Sequence, residues 1–159
     1  MKRLSNILNS SLIMSWFLPI VVSLVLIFDQ ITKQLIVTKL NEFESIELIP
    51  NIFYFTYIQN TGIAFGLFKG SSWPLLIVIL LGVGVLFYLA YKIRREPLLF
   101  QLGISFVLGG ALGNLVDRFY RGAVVDFLDF KIWPVFNIAD SFITIGVTIL
   151  VFAILRQKR

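Results

Sequence analysis

The sequence predicts an all-α membrane protein of four transmembrane helices, with a small β-rich patch in its first outer loop. Three observations predict this. Apolar residues make up 58% of the 159-residue chain and charged residues 14%, against roughly 25% charged in a soluble domain. Four apolar runs approach or exceed the ~20 helical residues that a bilayer crossing needs. One stretch between the first two runs is instead aromatic and β-branched. A soluble fold of this size has no interior large enough for so much apolar surface, so lipid is its solvent. The length suits one compact unit, and residues 1–159 are expected to form a single integral membrane domain.

The first run covers about 12–36 and includes Asp29 and Lys33. Lys2 and Arg3 precede it, as in a cleaved signal peptide. It is too long for one, and no small-x-small cleavage signature follows, so a retained helix is expected. The second run covers about 73–93, the third about 98–116 and the fourth about 136–155. Pro97 opens the third near its first turn, where proline is tolerated.

Basic residues gather at Lys2 and Arg3, at Lys92, Arg94 and Arg95, and at Arg156, Lys158 and Arg159. These flank apolar runs, as the positive-inside rule expects of cytoplasmic ends. Both termini then lie inside, and loops 41–72 and 117–135 lie outside. The same pattern accounts for the net charge of +5. Nucleic acid is not an expected partner, because basic and aromatic residues do not interleave.

Loop 41–72 begins acidic with Glu42, Glu44 and Glu47. Then comes Asn51-Ile-Phe-Tyr-Phe-Thr-Tyr-Ile58, broken by Asn60-Thr61-Gly62 and followed by Ile63-Ala-Phe-Gly-Leu-Phe68. This reads as a short β-hairpin or sheet-like patch at the membrane–water interface. An ordinary interfacial loop is the alternative. The third run carries Gly103, Ser105, Gly109, Gly110, Ala111 and Gly113. Small residues four apart let helices approach closely. Packing within one bundle, hence a monomer, is expected ahead of a dimer face.

The chain has no cysteine and no histidine. That excludes disulfides, thiolate chemistry, a Ser-His-Asp triad and the commonest metal ligand. Any catalysis falls to carboxylates, lysine, serine or threonine. Ionisable groups in lipid cost a few kcal/mol each and usually serve a purpose. Asp29 and Lys33 share a helix face and suit an ion pair, structural or beside a site. Asn114 and Arg118 share another face. Asp126 sits in an apolar setting. Asn137, Asp140 and Thr144 line one face of the fourth helix. Asp29, Lys33, Asn114, Arg118, Asp126, Asn137 and Asp140 therefore fall at similar depth near the outer boundary.

Two aspartates close together in low dielectric share a proton and titrate as a unit. Such a pair offers an acid and a base at one pH, as water attack on an amide requires. Composition and spacing alone do not choose Asp126 over Asp117 or Asp129. A transporter would also carry membrane acids, but it would need polar groups along its whole path. The cytoplasmic halves of the runs hold few. A structural subunit would explain the glycines but not the clustered acids.

The motifs Asp29-Gln-Ile-Thr-Lys33, Asn60-Thr-Gly-Ile-Ala-Phe65, Gly113-Asn-Leu-Val-Asp-Arg118, Val124-Val-Asp-Phe127 and Phe136-Asn-Ile-Ala-Asp140 occur in that order. In this the chain resembles the lipoprotein signal peptidases (signal peptidase II), bacterial inner-membrane aspartic peptidases. The resemblance implies that Asp126 and Asp140 are the catalytic dyad. It implies that Asp29, Lys33, Asn60, Gly62, Asn114, Arg118 and Asn137 shape the site or contact substrate. It implies a four-helix bundle with a β-rich extracytoplasmic cradle from the first outer loop. The implied substrate is a prolipoprotein whose cysteine already carries a diacylglyceryl group, cut just before that cysteine near the outer leaflet. No metal or organic cofactor is implied. Thr32 stands where serine is common in the family.

Overall fold

The structure is a computed structural model and describes residues 2–62, 73–94 and 96–157. The 63–68 stretch, Arg95, Lys158 and Arg159 of the sequence analysis lie outside the described residues. The elements in chain order are α1 (Lys2–Lys39), β1 (Ser45–Ile49), β2 (Phe53–Asn60), α2 (Trp73–Ile93), α3 (Leu98–Arg121), β3 (Val124–Asp129) and α4 (Ile138–Gln157). All four helices are long and apolar enough to cross a bilayer.

The third helix is the axis of the bundle and packs against the other three. Its glycines permit this. A Cβ at Gly110 would run into the Ala139 carbonyl oxygen, and one at Gly109 would meet Val25 at 2.8 Å. Gly103 and Gly146 bring α3 and α4 together in the same way lower down. The small-residue stripe thus serves packing within the bundle. Outward faces remain apolar, as at Val78 and Leu81 of α2. Exposure of such a continuous surface suits lipid rather than water.

Helix α3 runs to Arg121, past the expected end near 116. Asp117 and Arg118, read as loop or interfacial charges, are helical. Arg121 and Asp117 pair at i,i+4, and Gly122 closes the helix in the left-handed conformation with φ 76°. Helix α4 starts two residues later than expected, because Phe136 pairs with Leu128 as an isolated bridge. Asn137 then caps the helix.

The expected hairpin is present as β1 and β2, paired antiparallel. The sheet also reaches beyond the first outer loop. Its third strand, β3, comes from the second outer loop and pairs antiparallel with β2. Five of the six β3 residues are buried, so the strand lacks the alternation that would have marked it. Phe127 of β3 packs with Phe55, Tyr57, Ile36 and Leu40, joining the sheet to the end of α1.

Candidate active site

The sheet end of the bundle gathers the acids. Register places Asp126 opposite Ile58 and Val124 opposite Asn60. The Asn60 amide reaches across and donates to Asp126 Oδ2 at 2.8 Å. Its own oxygen accepts the Gly62 N–H at 2.9 Å, which fixes the amide orientation. Gly62 needs φ 91° for this turn, a conformation that favours glycine.

Asp140 and Asn137 form a capping box at the start of α4. The Asn137 side-chain oxygen accepts the Asp140 N–H at 2.9 Å, and Asp140 Oδ2 accepts the Asn137 N–H at 3.3 Å. The Asn137 amide nitrogen is left free to donate to Asp126 Oδ1 at 2.7 Å and Asn114 Oδ1 at 3.1 Å. Asn114 in turn donates to Asp140 Oδ1 at 2.8 Å. Asp126 and Asp140 are thereby joined through two asparagines, and each carboxylate oxygen holds an N–H.

Behind this pair lies a fully buried ion cluster. Lys33 donates to Asp29 at 2.8 Å, Asp117 at 2.9 Å and Asn114 Oδ1 at 2.9 Å. Arg121 covers the other oxygen of Asp117. The Arg118 guanidinium donates to the Asn114 carbonyl at 3.3 Å. It also feels the charges of Asp140, Asp126 and Asp117. Its Nε is buried without a hydrogen-bond partner among the described residues.

The three acids that spacing left equivalent now differ. Asp117 is held by Lys33 and Arg121. Asp129 is held by Lys131 and by the Thr56 hydroxyl, both at 2.7 Å. Burial would raise its pKa, but these bonds hold its carboxyl below the usual range. Among the described residues, Asp126 has only amide partners, Asn60 and Asn137. Burial is the largest influence on it, and the Asp140 charge adds to it. Together they outweigh the Asn60 and Asn137 bonds and the Lys33 charge, and push its pKa from 3.8 up to about 6. Among the described residues, no ion pair reaches Asp126 or Asp140. Nor, among them, do three or more His, Cys, Asp or Glu side chains form a metal-ligand cluster.

Beside Asp140 opens a groove of about 550 Å³, lined also by Phe130, Trp133, Phe136, Thr144 and Ile145. Asp140 therefore stands at the edge of an apolar groove. A family model described as signal peptidase (SPase) II matches residues 21–156. The chain belongs to the signal peptidase II family.

As a member it is an aspartic peptidase and a multi-pass bacterial membrane protein. The lipoprotein signal peptidase of Halothermothrix orenii is 41% identical over 140 residues, covering 88% of this chain and 96% of that one. That of Trichormus variabilis is 46% identical over 136 residues, covering 82% and 84%. Two solved structures, both described as a bacterial membrane enzyme structure by the in meso method, share the architecture. One is 33% identical with a TM-score of 0.73, covering 94% of this chain and 90% of that one. The other is 34% identical with the same TM-score, covering 92% and 93%.

All nine residues singled out by sequence fall in this one network of the signal peptidase II chain. Two that join it were missed, Gln30 and Arg121, and Asp117, weighed there as a rival to Asp126, joins it as a supporting acid. Gln30 donates to Asp29, to the Gly113 carbonyl and to Asp117. The i,i+4 spacing of Asp117 and Arg121 was the available signal. It was hidden by ending α3 too early.

Proposed function

We propose that this chain removes signal peptides from prolipoproteins whose cysteine carries a diacylglyceryl group, cutting just before that cysteine. Asp126 and Asp140 are the catalytic dyad. The observation that carries this reading is the pair of asparagines, Asn114 and Asn137, that orients both carboxylates, with no ion pair to either among the described residues.

One carboxylate takes a proton from water as the water oxygen attacks the scissile carbonyl carbon. The other, protonated, gives its proton to the carbonyl oxygen. The tetrahedral diol then collapses as a proton passes to the cysteine nitrogen and the C–N bond breaks. A pKa near 6 at Asp126 keeps both of its protonation states accessible near neutral pH. No metal or cofactor enters these steps.

The apolar groove beside Asp140 suits the lipid-bearing part of the substrate. Arg118, Asn60 and Gly62 border the dyad and contact or shape the bound peptide. Basic Lys92 and Arg94 lie at the opposite end of the bundle, near Arg156. The positive-inside rule then puts both termini in the cytoplasm and the dyad near the outer leaflet. The chain works as one membrane-embedded unit and as a monomer.

The test is a purified protein in bilayers, given one precursor with and without the diacylglyceryl group. Cleavage of the modified form alone, with cysteine as the new N-terminus, is the expected result. Equal cleavage of both forms, or solute uptake without cleavage, would overturn the reading.

A further inference from the structure

We propose that Asp29, Lys33 and Asp117 are positioning residues: a buried clamp that sets where the two dyad aspartates stand. This rests on the dyad reading above. Asp29 Oδ1 accepts the N–H of Ala139 at 2.9 Å. Asp117 Oδ2 accepts the N–H of Val125 at 3.1 Å. Ala139 immediately precedes Asp140, and Val125 immediately precedes Asp126. Each clamp acid therefore grips the backbone one residue ahead of one dyad acid, on two different elements.

Lys33 ties the two grips together. An ammonium has three N–H donors. They go to Asp29, to Asp117 and to Asn114 Oδ1. The last bond dictates which end of the Asn114 amide faces Asp140, since only the nitrogen end is left to donate there. Every side chain of the clamp is fully buried. The backbone makes room for it as well: a Cβ at Gly113 would collide with the Asp29 carboxylate.

Stability does not explain this arrangement. Buried ion pairs and triads are commonly replaced by apolar residues of similar volume with no loss of folding. What apolar side chains cannot do is accept the two N–H groups or orient the Asn114 amide. Misplacement of reacting groups by about 1 Å costs on the order of 100-fold in rate.

The decisive comparison is between the wild type and the all-neutral variant Lys33→Met, Asp29→Leu, Asp117→Leu, both in bilayers. Thermal unfolding, kcat and KM on lipid-modified precursor, and amide hydrogen exchange are measured. The clamp predicts a folded protein whose kcat falls about 100-fold while KM moves by less than about twofold. Exchange at Val125 and Ala139 should rise together. A folded variant with kcat within about threefold of wild type would overturn the clamp.

Should the triple variant not fold, Asp117→Asn and Asp29→Asn decide. The first should speed exchange at Val125 more than at Ala139, and the second the reverse. Equal changes at both amides, or none, would overturn the clamp. Exchange does not depend on which acids are catalytic. Full activity of Asp126→Asn would sink the dyad while leaving the exchange result standing.

Discussion

Asn137 donates its amide to Asp126 at 2.7 Å while its backbone N–H is held by Asp140. One residue therefore caps α4 and couples the two acids. Asn137→Ala should lose the cap, at about 1 kcal/mol of stability, and lower kcat by on the order of 100-fold. Asn137→Asp should keep the cap, because aspartate caps as well as asparagine, yet leave a carboxylate facing Asp126. Thermal melts and steady-state kinetics would show stability restored without activity. Recovery of both would deny the coupling role.

Asp126 makes a prediction about pH and stability. Its folded pKa of about 6 lies above its ordinary 3.8, so ionisation opposes folding. The stabilisation is fully present below about pH 4 and is lost as pH rises through about 6. A rise from 3.8 to about 6 amounts to roughly 3 kcal/mol. Measured against Asp126→Asn, in which the other acids still titrate, wild-type stability should rise as pH falls from 7 to 4. A difference of the opposite sign would contradict the burial of this carboxylate.

Gly62 holds the amide of Asn60 through its N–H at φ 91°. Gly62→Ala should strain this turn by about 1 kcal/mol or more and release Asn60 from Asp126. Cleavage rate should fall at least about tenfold, a loss equal to that of Asn60→Ala within error. A larger loss in the alanine variant at 60 alone would show that the glycine acts separately.

Gly110 tests the packing of the bundle. Its missing Cβ leaves room for the Ala139 carbonyl. Gly110→Ala should therefore destabilise the protein by about 1–3 kcal/mol and displace the start of α4. Gly82 on α2 has open space in place of a Cβ, and Gly82→Ala should be neutral or mildly stabilising. Parallel thermal melts separate the two. Equal effects would deny the close contact of α3 with α4.

Much of this was legible in the sequence because lipid imposes strict rules. Span length and basic flanks located the four helices, and the cost of buried charge marked Asp29, Lys33 and Asp140 as purposeful. The aromatic and β-branched run from Asn51 pointed to the hairpin. Strand β3 was not legible, since burial on both faces erased its period and Asp126 looked like a loop residue. Asp117 was misplaced for a related reason. Its charge suggested the end of a helix, whereas three partners from α1 and α3 keep it inside one. Partner identity, which only the fold supplies, separates Asp126 from Asp117 and Asp129.

The central claim is that Asp126 and Asp140 together activate water on a lipid-modified precursor. Its most direct test is cleavage of that precursor by purified Asp126→Asn and Asp140→Asn in bilayers, each checked for folding by thermal melt. The account predicts that either substitution lowers the rate by on the order of a thousandfold or more with the fold intact. Wild-type activity in either folded variant would contradict it.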